Sequence, residues 1–373
     1  MKIVCKMIML IAVFLLISRN AYGNTVDYYL EESLEMSGIE SVEAQEEISG
    51  EKMTFSTAVR KILSGEMDIS AKGVFDRISI VFSKEVKSQV GFIKKIVIAA
   101  LLSAFLKNIS DSFKDKSVAE LSFFVCYIVL VIFIMSAFRE GMALVKTSSD
   151  RILDTMQAML PAFLSVVFMS GKGGSAAFVY PVISGAAQLL TMFISRIIIP
   201  VVSAAITLHM VNFISEKGYL TQFSKLLYSI SKWLLRGSAI GFMAVLSLYK
   251  LGTPAINQLL GKSAKAAIGA IPVVGDVMGS AAEIVAALSK SIGSSMAAAA
   301  IIFLIIMALI PVIKLLVMGF IFKLTAAFAE PICEARVIKA LSGAGDFTFM
   351  LMGILFVSEA IFVFSIIILV SFL

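Results

Sequence analysis

The sequence predicts an all-α, polytopic helical membrane protein. Hydrophobic residues make up 59% of its 373 positions, and mean hydropathy is +0.96. Only 16% of residues are charged, where soluble domains run near a quarter. Several apolar runs reach or approach the roughly 20 residues that a helix needs to cross hydrocarbon. Helices suit that medium because they satisfy their own backbone N–H and C=O groups. The net charge of +6 is not a nucleic-acid signal. Lys and Arg sit mostly in short connections between apolar runs, where orientation and anionic headgroups account for them.

Residues 1–23 read as a secretory signal peptide. Lys2 and Lys6 form a charged start, Met7–Ile17 is an apolar core too short for an ordinary span, and Ala21-Tyr22-Gly23 is a small-x-small cleavage pattern. An uncleaved first helix is the competing reading. Under either, the chain from residue 24 begins outside the cytoplasm. Cys5 would leave with the signal. Cys126 and Cys333 remain, and two unlinked cysteines give neither a disulfide framework nor a metal cluster.

Residues 24–90 form an acidic to amphipathic extracytoplasmic region. Glu31, Glu32, Glu35, Glu40, Glu43, Glu46, Glu47 and Glu51 face almost no bases, the pattern of a solvated helix or linker. Beyond it, Val74, Ile78, Val81, Phe82, Val86 and Val90 share one face at helical spacing, with Arg77, Lys84 and Lys87 off it. That predicts an amphipathic helix on the membrane surface or against the bundle.

Residues 91–373 are the polytopic membrane domain, with seven to nine spans expected. Ile96–Leu106 is a short run and Val118–Phe138 a clean span. Arg139–Asp154 is charge-balanced and amphipathic, and Met156–Met169 is short. Ala176–Ile214 is interrupted only by Arg196, Pro200 and His209, so a tight hairpin of two spans is expected. Gly237–Tyr249 crosses or dips part way. Ser294–Ile313 and Leu315–Phe328 flank Lys314, and Phe347–Phe372 closes the chain. Four crossings between the basic connections Lys107–Lys116 and Lys217–Arg236 would put both in the cytoplasm, as the positive-inside rule asks.

Residues 266–290 are apolar enough to enter a bilayer yet carry Gly269, Pro272, Gly275, Asp276, Gly279 and Glu283. Backbone broken at membrane depth is tolerated only when buried in protein or lining a water-filled cavity. A re-entrant or broken-helix segment is expected there. Ionisable residues in or beside apolar runs are Asp276, Glu283, Lys314, Lys323 and Glu359. Such groups are costly in lipid and either line a polar path, form a subunit interface, pair, or snorkel. The Gly275-xxx-Gly279 spacing favours close helix contact, within one chain or between copies. Lys225, Lys232 and Arg236 share one helical face opposite Leu226, Leu227, Ile230, Trp233 and Leu234. That predicts an interfacial helix with its bases toward anionic headgroups, or toward a cytoplasmic partner.

Catalytic machinery is not visible in the sequence. Gly261-Lys262-Ser263 resembles the end of a P-loop, but Ile256 stands where the first glycine belongs. His209 is the only histidine, and its apolar setting predicts a satisfied intramembrane hydrogen-bonder. No Cys/His grouping, paired carboxylates or nucleophile–base arrangement is apparent. No enzyme activity, cofactor or metal is expected.

One resemblance is specific. SEKGYLTQFSKLLYSISKWLL at 215–235, GKSAKAAIGAIPVVGDVMGSAAEIVAALSKSIG at 261–293 and FKLTAAFAEPICEARVIKALSGAGDF at 322–347 follow a signal peptide and an acidic stretch. In this order they resemble stage III sporulation protein AE. Lys262 and Lys265 with the Ile271–Gly275 core form the first signature, and Lys323, Glu330 and Pro331 the second. The resemblance implies a subunit of the mother-cell membrane around the forespore. It would act with other membrane subunits of one operon, an operon-encoded ATPase and a forespore membrane partner, in a channel or secretion-like complex for late forespore development. A stand-alone small-solute permease and a non-conducting scaffold for that complex are the alternatives. On these readings the candidate conduit or assembly residues are Lys262, Lys265, Pro272, Gly275, Asp276, Gly279, Glu283, Lys314, Lys323 and Glu359.

Overall fold

The computed structural model describes residues 46–48, 51–53, 71–110, 116–169, 173–214, 218–248 and 295–370. The signal peptide, most of the acidic stretch and the broken segment with Lys262, Lys265, Pro272, Gly275, Asp276, Gly279 and Glu283 lie outside these residues. The helices are α1 (Ala71–Ser110), α2 (Lys116–Met169), α3 (Gly173–Phe193), α4 (Ile199–Asn212), α5 (Thr221–Leu248), α6 (Ser295–Ala329) and α7 (Ala335–Val370). A π-helical turn, Ile194–Ile198, joins α3 to α4. The described residues are otherwise helical except for one small antiparallel hairpin, β1 (Glu46–Ile48) with β2 (Glu51–Met53). Glu46, Glu47 and Glu51 therefore stand in strands rather than in a solvated helix.

Runs that look separate in sequence are turns of single helices. Val118–Phe138, Arg139–Asp154 and Met156–Met169 are all parts of α2. Its buried stripe continues through Phe123, Tyr127, Leu130, Ile134, Phe138, Val145, Ile152 and Met156, so one face stays apolar while the outer face changes from Val125 and Ile132 to charged side chains. The apolar runs flanking Lys314 are likewise one helix, α6. The expected hairpin over 176–214 is absent: α3, the π turn and α4 form one unbroken column. Pro200 lacks an N–H and cannot bond the Arg196 carbonyl. The chain accommodates this by widening one turn, with the Ile199 N–H donating to the Ile194 carbonyl.

Among the described residues, four helical stretches are long and apolar enough to cross a bilayer: Phe123–Gln157, Tyr180–Asn212, Met307–Ala329 and Ala335–Ile366. Their surroundings fit that reading. Leu189 is 69% exposed, and Trp233 and Phe328 are each 76% exposed, far from the pattern of a soluble monomer. The core lies between α2, α6 and α7, where Phe138, Phe322 and Phe362 are fully buried. Gly141 of α2 lets α6 and α7 close in, since a Cβ there would lie 2.7 Å from Met318 and 3.3 Å from Leu351. The Ser149 and Ser358 hydroxyls bond at 3.1 Å between α2 and α7. Of the amphipathic face expected before residue 91, Val81 and Val86 pack against the buried Ile313, Val317 and Ile321 of α6. Phe82 and Val90 are exposed, at 41% and 40%.

The connections fix the directions. The α4 C-terminus is capped from other elements: the Tyr127 hydroxyl donates to the Met210 carbonyl at 2.7 Å, and Arg336 Nη1 donates to the Ile214 carbonyl at 3.4 Å. Arg336 also pairs with Glu334 and lies 3.8 Å over the Phe123 ring. The start of α2, the end of α4 and the α6–α7 turn therefore meet at one end of the bundle. Two helical columns, not four crossings, separate Lys116 from Lys217, and even parity is kept. The α4–α5 turn is tied by Asn212, whose Oδ1 accepts the Leu220 N–H at 2.9 Å and whose Nδ2 donates to Thr221 Oγ1 at 3.0 Å. Gly218 takes φ +55° within it, the left-handed region that favours glycine. From this end α5 descends beside α7: Ser224 lies near His209, and Leu235 lies 3.4 Å from the Cβ position of Gly353. Because α6 runs antiparallel to α7, residues 248 and 295 both stand at the far end.

Tyr127→Phe should remove one of the two donors to the Met210 carbonyl, which keeps the Phe213 N–H at 3.3 Å. A cost of about 1 kcal/mol is expected, read as a lower melting temperature of the detergent-solubilised protein with unchanged helical content.

Candidate functional site

The notable polar cluster lies near this end, in a cleft between α5, α6 and α7. Lys339, Ser342 and Asp346 stand at i, i+3 and i+7 on one face of α7. Facing them from α6 is Lys323, whose Nζ lies 2.7 Å from Asp346 Oδ1 and donates to Ser342 Oγ at 2.9 Å. Gly345 makes this approach feasible, because a Cβ there would sit 2.9 Å from Lys323 Cγ and 3.1 Å from the Gly319 carbonyl oxygen. The pair is half-exposed, 33% for Lys323 and 49% for Asp346, so the cleft opens outward.

Gly343 serves the opposite face of α7. A Cβ there would lie 1.9 Å from His209 Nε2. Without one, the imidazole of α4 settles against the α7 backbone, with Nε2 3.3 Å from the Lys339 carbonyl. A carbonyl only accepts, so Nε2 carries the proton and Nδ1 is left to accept from Ser224 Oγ, at 3.5 Å. The ring also meets Phe213 edge-on at 4.9 Å and Phe347 at 5.6 Å. His209 is thus the satisfied hydrogen-bonder its setting predicts. Ser224 is 4% exposed, so the pair ties three helices and presents no accessible nucleophile.

The third wall is α5. Its buried face is not the leucine face but Ser224, Ser231, Leu235, Ser238 and Phe242, small side chains that let it stand close to α4 and α7. Leu226, Ile230 and Trp233 turn outward. The helix expected to lie at the interface instead stands upright in the bundle. Of its basic residues, Lys232 and Arg236 stand one turn apart beside α7, while Lys225 is exposed about 10 Å along the helix from Lys232. Lys232 Nζ sits 4.1 Å over the Tyr228 ring, Tyr228 packs edge-on to Phe347 at 5.0 Å, and Asp346 and Arg236 are both within electrostatic reach of Lys232. Arg236 is half-buried, and its Nε finds no acceptor among the described residues.

The structure thus joins residues from two sets that the sequence kept apart: Lys323 from the conduit candidates, and Lys232 and Arg236 from the basic face, which meet around Asp346. Lys314 is not part of the cluster; it is exposed on α6, about 13 Å along the axis from Lys323. Glu359 is buried on α7 at 8% exposure, about 20 Å from Asp346. Sequence reasoning missed Asp346, Ser342, Gly343 and Gly345. Their signal was the Ser-Gly-Ala-Gly-Asp run at 342–346, small residues ending in the one acid that meets Lys323. Burial pushes the Cys333 thiol up, away from thiolate chemistry. No group of His, Cys, Asp and Glu able to hold a metal occurs among the described residues.

The family model for stage III sporulation protein AE matches residues 53–372. The chain belongs to the stage III sporulation protein AE family. The match takes in every helix of the bundle and all the cleft residues. Among curated proteins, stage III sporulation protein AE of Bacillus subtilis (strain 168) is 25% identical over 247 residues, 66% of this chain and 62% of that protein. The aligned region thus spans less than two thirds of that relative's length. No solved structure matches the chain.

Proposed function

We propose that this stage III sporulation AE protein is a non-enzymatic, multi-pass subunit of the mother-cell membrane around the forespore. It works in a transenvelope channel or secretion-like complex needed for late forespore development. The family match across the whole bundle carries this reading. Partners are the other membrane subunits of its operon, an ATPase that supplies the energy this chain has no visible site to provide, and a forespore membrane protein. The basic end, with Lys225, Arg336 and Lys339, faces the mother-cell cytoplasm by the positive-inside rule. Residues 248 and 295 then both stand on the far side. An upright bundle with a cationic cleft at its cytoplasmic end fits a subunit that receives or positions acidic groups.

The test is a functional fluorescent fusion imaged in the sporulating native host, with the deletion strain scored for development. Enrichment around the forespore with arrest after engulfment is expected. Uniform membrane signal in growing cells, with normal spores from the deletion, would return the permease reading to first place.

A further inference from the structure

We infer that the cleft between α5, α6 and α7 is a binding site for the phosphate of an anionic phospholipid. The residues facing it are out of balance. Lys232 and Arg236 stand one turn apart on α5, Asp346 of α7 is within electrostatic reach of Lys232, and Lys323 of α6 pairs with Asp346. Against these three cations the described residues here supply one carboxylate, Asp346, already held by Lys323 at 2.7 Å. Cations level with apolar spans call for a counter-charge, and among the described residues only Lys323 of these three is ion-paired.

Arg236 shows where a ligand oxygen belongs. Its Nε is buried, with no acceptor among the described residues, although a guanidinium is built for bidentate contact with phosphate. Lys232 is held in place over Tyr228 and does not trail into solvent, so the site is partly pre-formed. Phe320, three residues before Lys323 on α6, is 50% exposed, an apolar surface along which an acyl chain could lie. Basic clefts between membrane helices on the cytoplasmic side suit phospholipid headgroups. Free inorganic phosphate offers the same oxygens but no apolar chain. The inference rests on the cleft geometry and not on the sporulation role, so either can fail without the other.

The experiment uses full-length, delipidated protein in detergent. Native mass spectrometry follows titration with phosphatidylglycerol, with phosphatidylcholine or with inorganic phosphate. Wild type should retain phosphatidylglycerol in preference to phosphatidylcholine, and inorganic phosphate should not displace it. Lys232→Gln with Arg236→Gln should weaken phosphatidylglycerol binding by about tenfold or more, from the usual contribution of each base near a membrane surface. Lys314→Gln, which removes a cation outside the cleft, should change nothing. Asp346→Asn removes the competing carboxylate and should tighten binding, an effect that misfolding would not produce. Equal retention of both lipids, or phosphatidylglycerol binding unaltered by the Lys232/Arg236 changes, overturns the site. Displacement by inorganic phosphate, with the same dependence on those residues, overturns the lipid as the source and leaves free phosphate as the ligand.

Discussion

Gly343→Ala is expected to destabilise the protein by about 1–3 kcal/mol, the usual range for forcing an extra carbon into a packed core. The new Cβ would fall 1.9 Å from His209 Nε2. The imidazole cannot retreat cheaply: it is bonded to the Lys339 carbonyl and Ser224 and wedged between Phe213 and Phe347. Either α7 moves off α4 or His209 leaves its partners. His209→Ala alone should also cost stability, because it opens a gap and strands the Ser224 hydroxyl. The double change should recover most of the loss from Gly343→Ala, since each fault relieves the other. A double-mutant cycle on the melting temperature of the solubilised protein reads this coupling. Additive losses would mean that the two residues do not touch.

The second large effect is expected at Lys323 and Asp346. Lys323→Glu sets two carboxylates against each other where an ion pair stood, at the level of apolar spans. Neutral removal of one partner, Lys323→Gln, should cost about 1–2 kcal/mol. That figure is held below the 3–5 kcal/mol of a fully buried pair because both side chains are partly exposed. Charge reversal should cost more and lower the yield of folded protein in membranes. Lys323→Asp combined with Asp346→Lys restores opposite charges across the same gap and should regain a good part of the yield. If the swap is no better than the single reversal, the pair does not hold α6 to α7.

Much of the fold is legible in the sequence. Continuous apolar composition marks the spans, because nothing else makes so many exposed Phe, Leu and Ile side chains tolerable. Lys323 stands out because a cation within an apolar run demands a partner. What stays hidden are features that depend on the third dimension. Arg196, Pro200 and His209 look like the marks of a hairpin, yet a single π turn absorbs the proline and the helix runs on. The serines of α5 look unremarkable in a polar, basic stretch, but small side chains at 224, 231 and 238 allow close helix contact. The eye follows Leu226, Ile230 and Trp233 as the packing face, whereas in a membrane the apolar face can be the outer one. Asp346 follows three small residues at the edge of an apolar run and acquires meaning only when α6 folds back on α7. The candidates between Lys262 and Glu283 rest on sequence alone.

The most direct measurement is spore formation by the deletion strain complemented with Lys232→Glu plus Arg236→Glu, alongside wild type and Lys314→Glu, with protein levels matched by immunoblot. A cationic cleft that serves forespore development predicts loss of spores for the cleft variant at normal protein abundance, with Lys314→Glu close to wild type. Normal sporulation by the cleft variant would contradict the account, because charge could then be reversed at the heart of the cleft without consequence.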